Sequence, residues 1–135
     1  VVVVGGGLVG TELAEFLAER GRRVVVLESG TELAPEMAHP RRWRALHEAR
    51  SHGVRFVTGA ELAEITATQV VYTVDGAERR VDADHVVLAA GIGPDDSLAR
   101  TLADAGHEVH TIGDAAEVGY IEGAVRTGHD LACEL

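Results

Sequence analysis

Val1-Val2-Val3-Val4-Gly5-Gly6-Gly7-Leu8-Val9-Gly10 opens the chain, and Thr11-Glu12-Leu13-Ala14-Glu15-Phe16-Leu17-Ala18-Glu19-Arg20 follows. Four consecutive β-branched residues read as a strand buried on both faces, and the run from Thr11 to Arg20 reads as a helix. A G-x-G-x-x-G between such a strand and such a helix is the dinucleotide fingerprint in the setting that gives it meaning. Gly5 permits the tight turn, Gly7 lets backbone approach a pyrophosphate, and Gly10 lets the helix pack on the strand. The first helical amides, at Leu8 and Val9, then face the phosphates.

Arg22-Arg23 leads into a second apolar strand, Val24-Val25-Val26-Leu27, which ends at Glu28, 18 residues beyond Gly10. That is the reach, about 20 residues, of an acid that accepts hydrogen bonds from an adenosine ribose. A carboxylate there repels a 2′-phosphate, and Ser29-Gly30-Thr31-Glu32-Leu33 offers no cation to welcome one. The pattern favours NAD(H) over NADP(H); the bland alternative is a surface glutamate at a strand end.

Composition bounds the remaining choices. The 135 residues suit one domain, or one domain with a piece of another. A hydrophobic content of 46% supports a core, and 4% aromatics leave Val, Leu and Ala to build it. A net charge of −10 argues against nucleic acid and anionic membrane as partners. Without a signal-peptide pattern or a long apolar run, the expected location is cytoplasmic. Starting at Val1, already inside a strand, the chain reads as a segment of something longer.

Lysine is absent, which removes a Schiff-base nucleophile and a P-loop. Cys133 is the single cysteine, so disulfide frameworks, C-x-x-C pairs and cysteine zinc sites are excluded within the chain. It is expected to be a small, buried helix residue. The seven histidines lack i, i+4 pairing with a third ligand, and the acids at 82, 84, 95 and 96 read as solvated turn residues, so no metal site is expected.

Beyond Glu28 the alternation continues. Ser29 to His39 reads as a loop, Pro40 as a first helical residue, and Arg41 to His52 as a helix with Trp43, Leu46 and Ala49 on its inner stripe. Val54 to Thr58 is a third strand. Asp75-Gly76 marks a hairpin between Val70–Val74 and 79–81. Val86 to Ala90 is a buried strand stopping at Gly91-Ile92-Gly93-Pro94. Residues 94–108 read as a linker with a short helix at 98–103. Val109 to Ile112 reads as a strand running into Gly113-Asp114, and Glu122 to Leu135 as a closing helix with Val125, Leu131 and Leu135 apolar. The expected architecture is α/β, a Rossmann-like parallel sheet with helices on both faces and a β-hairpin or meander insertion. Its expected parts are a nucleotide-binding domain at 1–93, the linker at 94–108 and a strand-helix segment at 109–135.

This order of elements, from the glycine loop and Glu28 to Ile112-Gly113-Asp114, resembles the pyridine-nucleotide-disulfide oxidoreductase superfamily. Members insert an NAD(P) domain into an FAD domain, and the triple-glycine form is typical of the inserted one. The helix at 41–48 and the ending Ile112-Gly113-Asp114-Ala115-Ala116-Glu117, with Gly128-His129, are similar to the C-terminal part of old-yellow-enzyme-type flavin oxidoreductases. These include the 2,4-dienoyl-CoA reductase and the trimethylamine or histamine dehydrogenase groups. The resemblance implies NAD(H) at this segment, FAD in the full-length protein, and an upstream flavin (FMN) barrel with an iron–sulfur cluster. The partners it implies are a dinucleotide and the missing FAD or barrel domains.

The resemblance carries over Gly5, Gly7 and Gly10 as phosphate-loop glycines and Glu28 as the ribose acid. It places Glu12 beside the nicotinamide and flavin; the alternative is a first-turn glutamate favoured by the helix dipole. Gly91 matches the glycine after the fourth strand, and Asp114 the aspartate that touches FAD. Gly93-Pro94-Asp95 departs from the usual Arg-Pro-Asn. No residue is expected to act as nucleophile or general base, because hydride transfer is the cofactors' own chemistry. The implied role is an NAD(H)-binding segment of an FAD-dependent oxidoreductase, with a noncatalytic ADP- or NAD-binding module as the alternative. A methyltransferase with a related glycine loop accounts for Glu28 but leaves the hairpin and the Gly-Asp ending unexplained.

Overall fold

The computed structural model describes all residues from Val1 to Leu135. Two compact units divide the chain, Val1–Gly91 and Ile92–Leu135.

The first unit is built on a parallel sheet of four short strands, β1 (Val2–Val4), β2 (Val25–Leu27), β3 (Arg55–Val57) and β7 (Val86–Leu88), in the order β3-β2-β1-β7. Side chains alternate across it as a pleat requires. Val3 and Val26 face Ala14 and Ala18 of α1 (Leu8–Glu19) and Ala49 of α2 (His39–Ser51). Val2, Val4 and Leu27 face Ala60, Val70 and Tyr72 on the opposite side. Both faces are therefore covered, which explains the unbroken valine run.

That second face is covered by an antiparallel meander, β4 (Glu61–Ile65), β5 (Gln69–Val74) and β6 (Ala77–Asp82), in the order β4-β5-β6. The fold is the expected α/β, Rossmann-like one, with the layering refined: α1 and α2 share one face and pack on each other, and the meander takes the other. Asp75 and Gly76 turn the hairpin with φ of 51° and 74°, the left-handed pair that a two-residue turn demands.

The inner stripe of α2 is Ala45 and Ala49. Trp43 is 65% exposed, stacked on His47, which corrects its assignment to the core. Ala49 packs on Ala14 and Ala18 of α1, while Ala45 packs on Ala34 and Met37; the indole turns outward.

The second unit holds α3 (Ser97–Asp104), a 3₁₀ turn at Gly113–Ala115 and α4 (Tyr120–Glu134). Most of the expected 94–108 linker is thus helical. The strand expected at Val109 to Ile112 does not form: Ile112 is extended, with φ −132° and ψ 170°, but neither sheet includes these residues. An extended run becomes a strand only when a neighbour completes its ladder. Gly113 and Gly123 are the only buried residues of this unit, while Ile121, Val125 and Leu135 of α4 and its C-cap are exposed. Cys133 is also exposed, with Sγ 3.8 Å from His129 Nε2. It lies on a helix with no partner on that side, so the expected burial is corrected. No helix is long and apolar enough to cross a membrane.

Candidate nucleotide site

The site forms at the carboxyl ends of β1 and β2, where the chain turns into α1. Gly5 has φ +106°, closed to most side chains, and a Cβ there would strike the Ala89 carbonyl beyond β7. A Cβ on Gly10 would fall on the Gly5 carbonyl oxygen. These two glycines bring the strand and the helix together.

Gly7 is different. It is the N-cap of α1 at φ −67° and ψ −168°, and no side chain caps the helix. The first-turn amides of α1 are thus left for something other than a protein side chain. This uncapped glycine cradle fits a pyrophosphate.

Glu28 closes the loop from the side. Its Oε2 accepts the Gly6 amide at 2.6 Å and its Oε1 accepts the Gly30 amide at 2.7 Å. A half-buried carboxylate thereby ties the end of β2 to the turn after β1. Thr11, fully buried, donates its hydroxyl to the Gly6 carbonyl at 3.1 Å, and the Ala34 amide donates to the same oxygen at 2.7 Å. The Gly5 amide, both backbone groups of Gly6 and the Gly7 carbonyl are thus occupied from within the chain.

The connection from Glu28 to α2 packs over this loop, which the sequence did not indicate. Ala34 is fully buried with φ +45°, a left-handed conformation unusual for alanine. A Cβ on Gly6 would meet Leu33 Cδ2 at 2.7 Å, and one on Gly7 would meet Glu36 Oε1 at 3.1 Å. Arg42 Nε donates to the Leu33 carbonyl at 2.6 Å and pairs with Glu32 at 3.4 Å. Thr11, a polar residue directly after the last glycine, was the one available signal; nothing in the composition of 29–38 marks Ala34 or Glu36.

Glu12 lies in the second turn, because α1 begins at Leu8. The dipole explanation for it weakens accordingly, since that effect falls off beyond the first turn. Its Oε1 instead pairs with Arg41 Nη2 at 2.6 Å. Below this pair, burial and the adjacent Glu48 carboxylate push the Glu15 carboxyl above its usual range, while the hydrogen bond from Arg44 holds Glu48 below it.

Gly5, Gly7, Leu8, Val9 and Gly10 lie on the turn from β1 into α1, with Glu28 fastened beside it through Gly6, whereas Glu12 lies further along α1 against Arg41 of α2. Gly91, at φ +100°, ends the first unit with open space around its Cα. In the second unit, Asp114 Oδ1 accepts the amides of Gly119 and Tyr120, both at 3.0 Å, so its carboxylate caps the start of α4. No three His, Cys, Asp or Glu side chains converge as a metal site would require.

Residues 1–118 match the family model described as pyridine nucleotide-disulphide oxidoreductase. The whole chain is 37% identical over 137 residues to an NADH oxidase of Thermoanaerobacter brockii, of which it covers 21%. Among solved structures, 2-naphthoyl-CoA reductase superposes with a TM-score of 0.86 at 27% identity, over 99% of this chain and 21% of that one. Histamine dehydrogenase from Rhizobium sp. 4-9 superposes at 0.82 and 26%, over 99% and 23%. The chain spans about a fifth of the length of these relatives. It belongs to the pyridine nucleotide-disulphide oxidoreductase family.

Proposed function

We propose that this member of the pyridine nucleotide-disulphide oxidoreductase family is the NAD(H)-binding segment of a longer FAD-dependent oxidoreductase. The observation that carries this reading is the uncapped Gly7 at the start of α1 beside a carboxylate, Glu28, held at the end of β2. Gly5 and Gly10 set the loop close to the sheet, Gly7 admits a pyrophosphate, and the Leu8 and Val9 amides donate to it. Glu28 accepts from the adenosine ribose hydroxyls and disfavours a 2′-phosphate. Glu12 and Gly91 flank the nicotinamide side.

Bound NADH supplies a hydride for a flavin held by other parts of the protein. The chain's own contribution is to bind and orient; no residue here is assigned as nucleophile or base. Asp114, which caps α4, is the residue proposed to reach FAD in the whole protein. The exposed apolar residues of α4 support the view that the second unit completes its packing against an FAD domain. The structural likeness to 2-naphthoyl-CoA reductase and histamine dehydrogenase supports the narrower placement among old-yellow-enzyme-type enzymes, with an FMN barrel and an iron–sulfur cluster upstream.

The alternative is a noncatalytic module that holds ADP or NAD, since the same loop and acid serve the ADP half alone. Calorimetric titration with NADH and ADP separates the two. Tighter binding of NADH supports the proposal, and equal affinity supports the module.

A further inference from the structure

Resting on the dinucleotide reading above, we infer that Glu36 sets the affinity of the phosphate loop, an acid placed against it so that every pyrophosphate ligand is held less tightly and phosphate charge alone does not secure one. A Cβ on Gly7 would have both oxygens of the Glu36 carboxylate nearby, at 3.1 and 3.8 Å. The acid therefore stands beside the bare Cα that the proposed function gives to the pyrophosphate.

No cation holds it there, for Glu36 takes part in none of the chain's ion pairs. The backbone fixes the segment that carries it. Ala34 and Met37 on either side are buried, and the Met37 amide donates to the Ala34 carbonyl at 3.0 Å. Ala34 itself sits at φ +45° with its amide on the Gly6 carbonyl. A left-handed alanine is a cost that persists only where surrounding contacts impose it. Here it anchors the segment to the glycine loop and brings an exposed acid to that loop's most open residue.

Two anions cannot share that position without mutual repulsion. An incoming pyrophosphate must displace the Glu36 side chain or bind in its field. A ligand with phosphates alone meets this opposition uncompensated. A dinucleotide offsets it through the ribose on Glu28 and the contacts of its nicotinamide half. Glu36 thus acts on the pyrophosphate common to NADH, NADPH and ADP, whereas Glu28 acts on the ribose that distinguishes NADH from NADPH.

The test is calorimetric titration of wild type, Glu36→Gln, Glu36→Asp and Glu32→Gln with NADH, NADPH and ADP. At roughly 10 mM salt, Glu36→Gln is expected to bind all three about threefold to tenfold more tightly, and the gain shrinks toward nothing near 1 M salt. Glu36→Asp keeps the charge and stays near wild type. Glu32→Gln removes the same charge from the same segment, but from the side chain paired with Arg42, and changes affinity less. NADH binding by wild type with an unchanged affinity in Glu36→Gln overturns the inference and leaves the dinucleotide reading standing, as does a gain that survives high salt. Absence of NADH binding in every variant overturns the dinucleotide reading and this role with it.

Discussion

Glu28 Oε2 accepts the Gly6 amide at 2.6 Å across 22 residues of sequence. The same carboxylate takes the Gly30 amide at 2.7 Å, so the acid proposed to read the ribose also fastens the loop proposed to read the phosphates. Glu28→Ala leaves both amides without their acceptor and should cost about 1.5–3 kcal/mol of stability. Glu28→Gln keeps one acceptor oxygen and should cost less. Urea denaturation checks the order; a Glu28→Ala midpoint equal to wild type would show that the carboxylate does not hold the loop.

The two glycines at either end of the cradle should fail differently. Gly10→Ala drives a methyl group into the Gly5 carbonyl, and backbone that cannot give way makes this an overpacking loss of about 1–3 kcal/mol. Gly7→Ala meets only the mobile end of Glu36 at an allowed φ of −67°, so it should cost no more than about 1 kcal/mol as an N-cap change. It should nevertheless weaken NADH binding, because the methyl stands where the pyrophosphate approaches. Thermal melting alongside titration separates the effects, and unchanged NADH affinity in Gly7→Ala would argue against that placement.

Glu12 and Arg41 are joined at 2.6 Å, with side chains 45% and 70% exposed. An exposed pair of this kind stabilises little, so Arg41→Ala should change stability by less than about 1 kcal/mol. Glu12→Ala should weaken NADH more than ADP if the acid faces the nicotinamide. Equal losses for the two ligands would return Glu12 to the helix surface.

Glu15 provides a pH signature. Burial and the Glu48 carboxylate raise its pKa from 4.5 in the folded chain, so the folded state holds this proton more tightly than the unfolded one. The destabilisation is therefore fully present above the folded pKa and disappears as the pH falls below the unfolded value. Glu15→Gln should stabilise the fold at neutral pH, by less than about 1 kcal/mol given its exposure, and lose that advantage below about pH 4, as thermal melting across pH would show. A gain independent of pH would point to packing instead of charge.

Legibility from sequence followed the strength of local constraint. The valine runs declared buried strands because no other element hides four β-branched residues in a row. Asp75-Gly76 declared a turn because few pairs adopt two left-handed conformations. Gly5 and Gly10 are readable because the strand–turn–helix motif carries their steric role, although the backbone that Gly5 approaches, at Ala89, lies far along the chain. Trp43 was misplaced because apolar spacing marks a face through it, whereas the buried face of α2 runs through Ala45 and Ala49. Val109 to Ile112 looked like a strand, yet a strand depends on a neighbour that local composition does not specify. The Ser29–Ala38 connection was least legible: Ala34 is left-handed and Glu36 stands at Gly7 through contacts between residues distant in sequence, and neither residue type announces such a role.

Parallel titration of NADH and NADPH into wild type and Glu28→Ala tests whether the Glu28 carboxylate reads the adenosine ribose. Wild type is expected to bind NADH more tightly than NADPH, and Glu28→Ala to lose NADH affinity disproportionately so that the preference collapses. A wild-type preference for NADPH, or equal losses for both ligands on removing the carboxylate, would contradict that role.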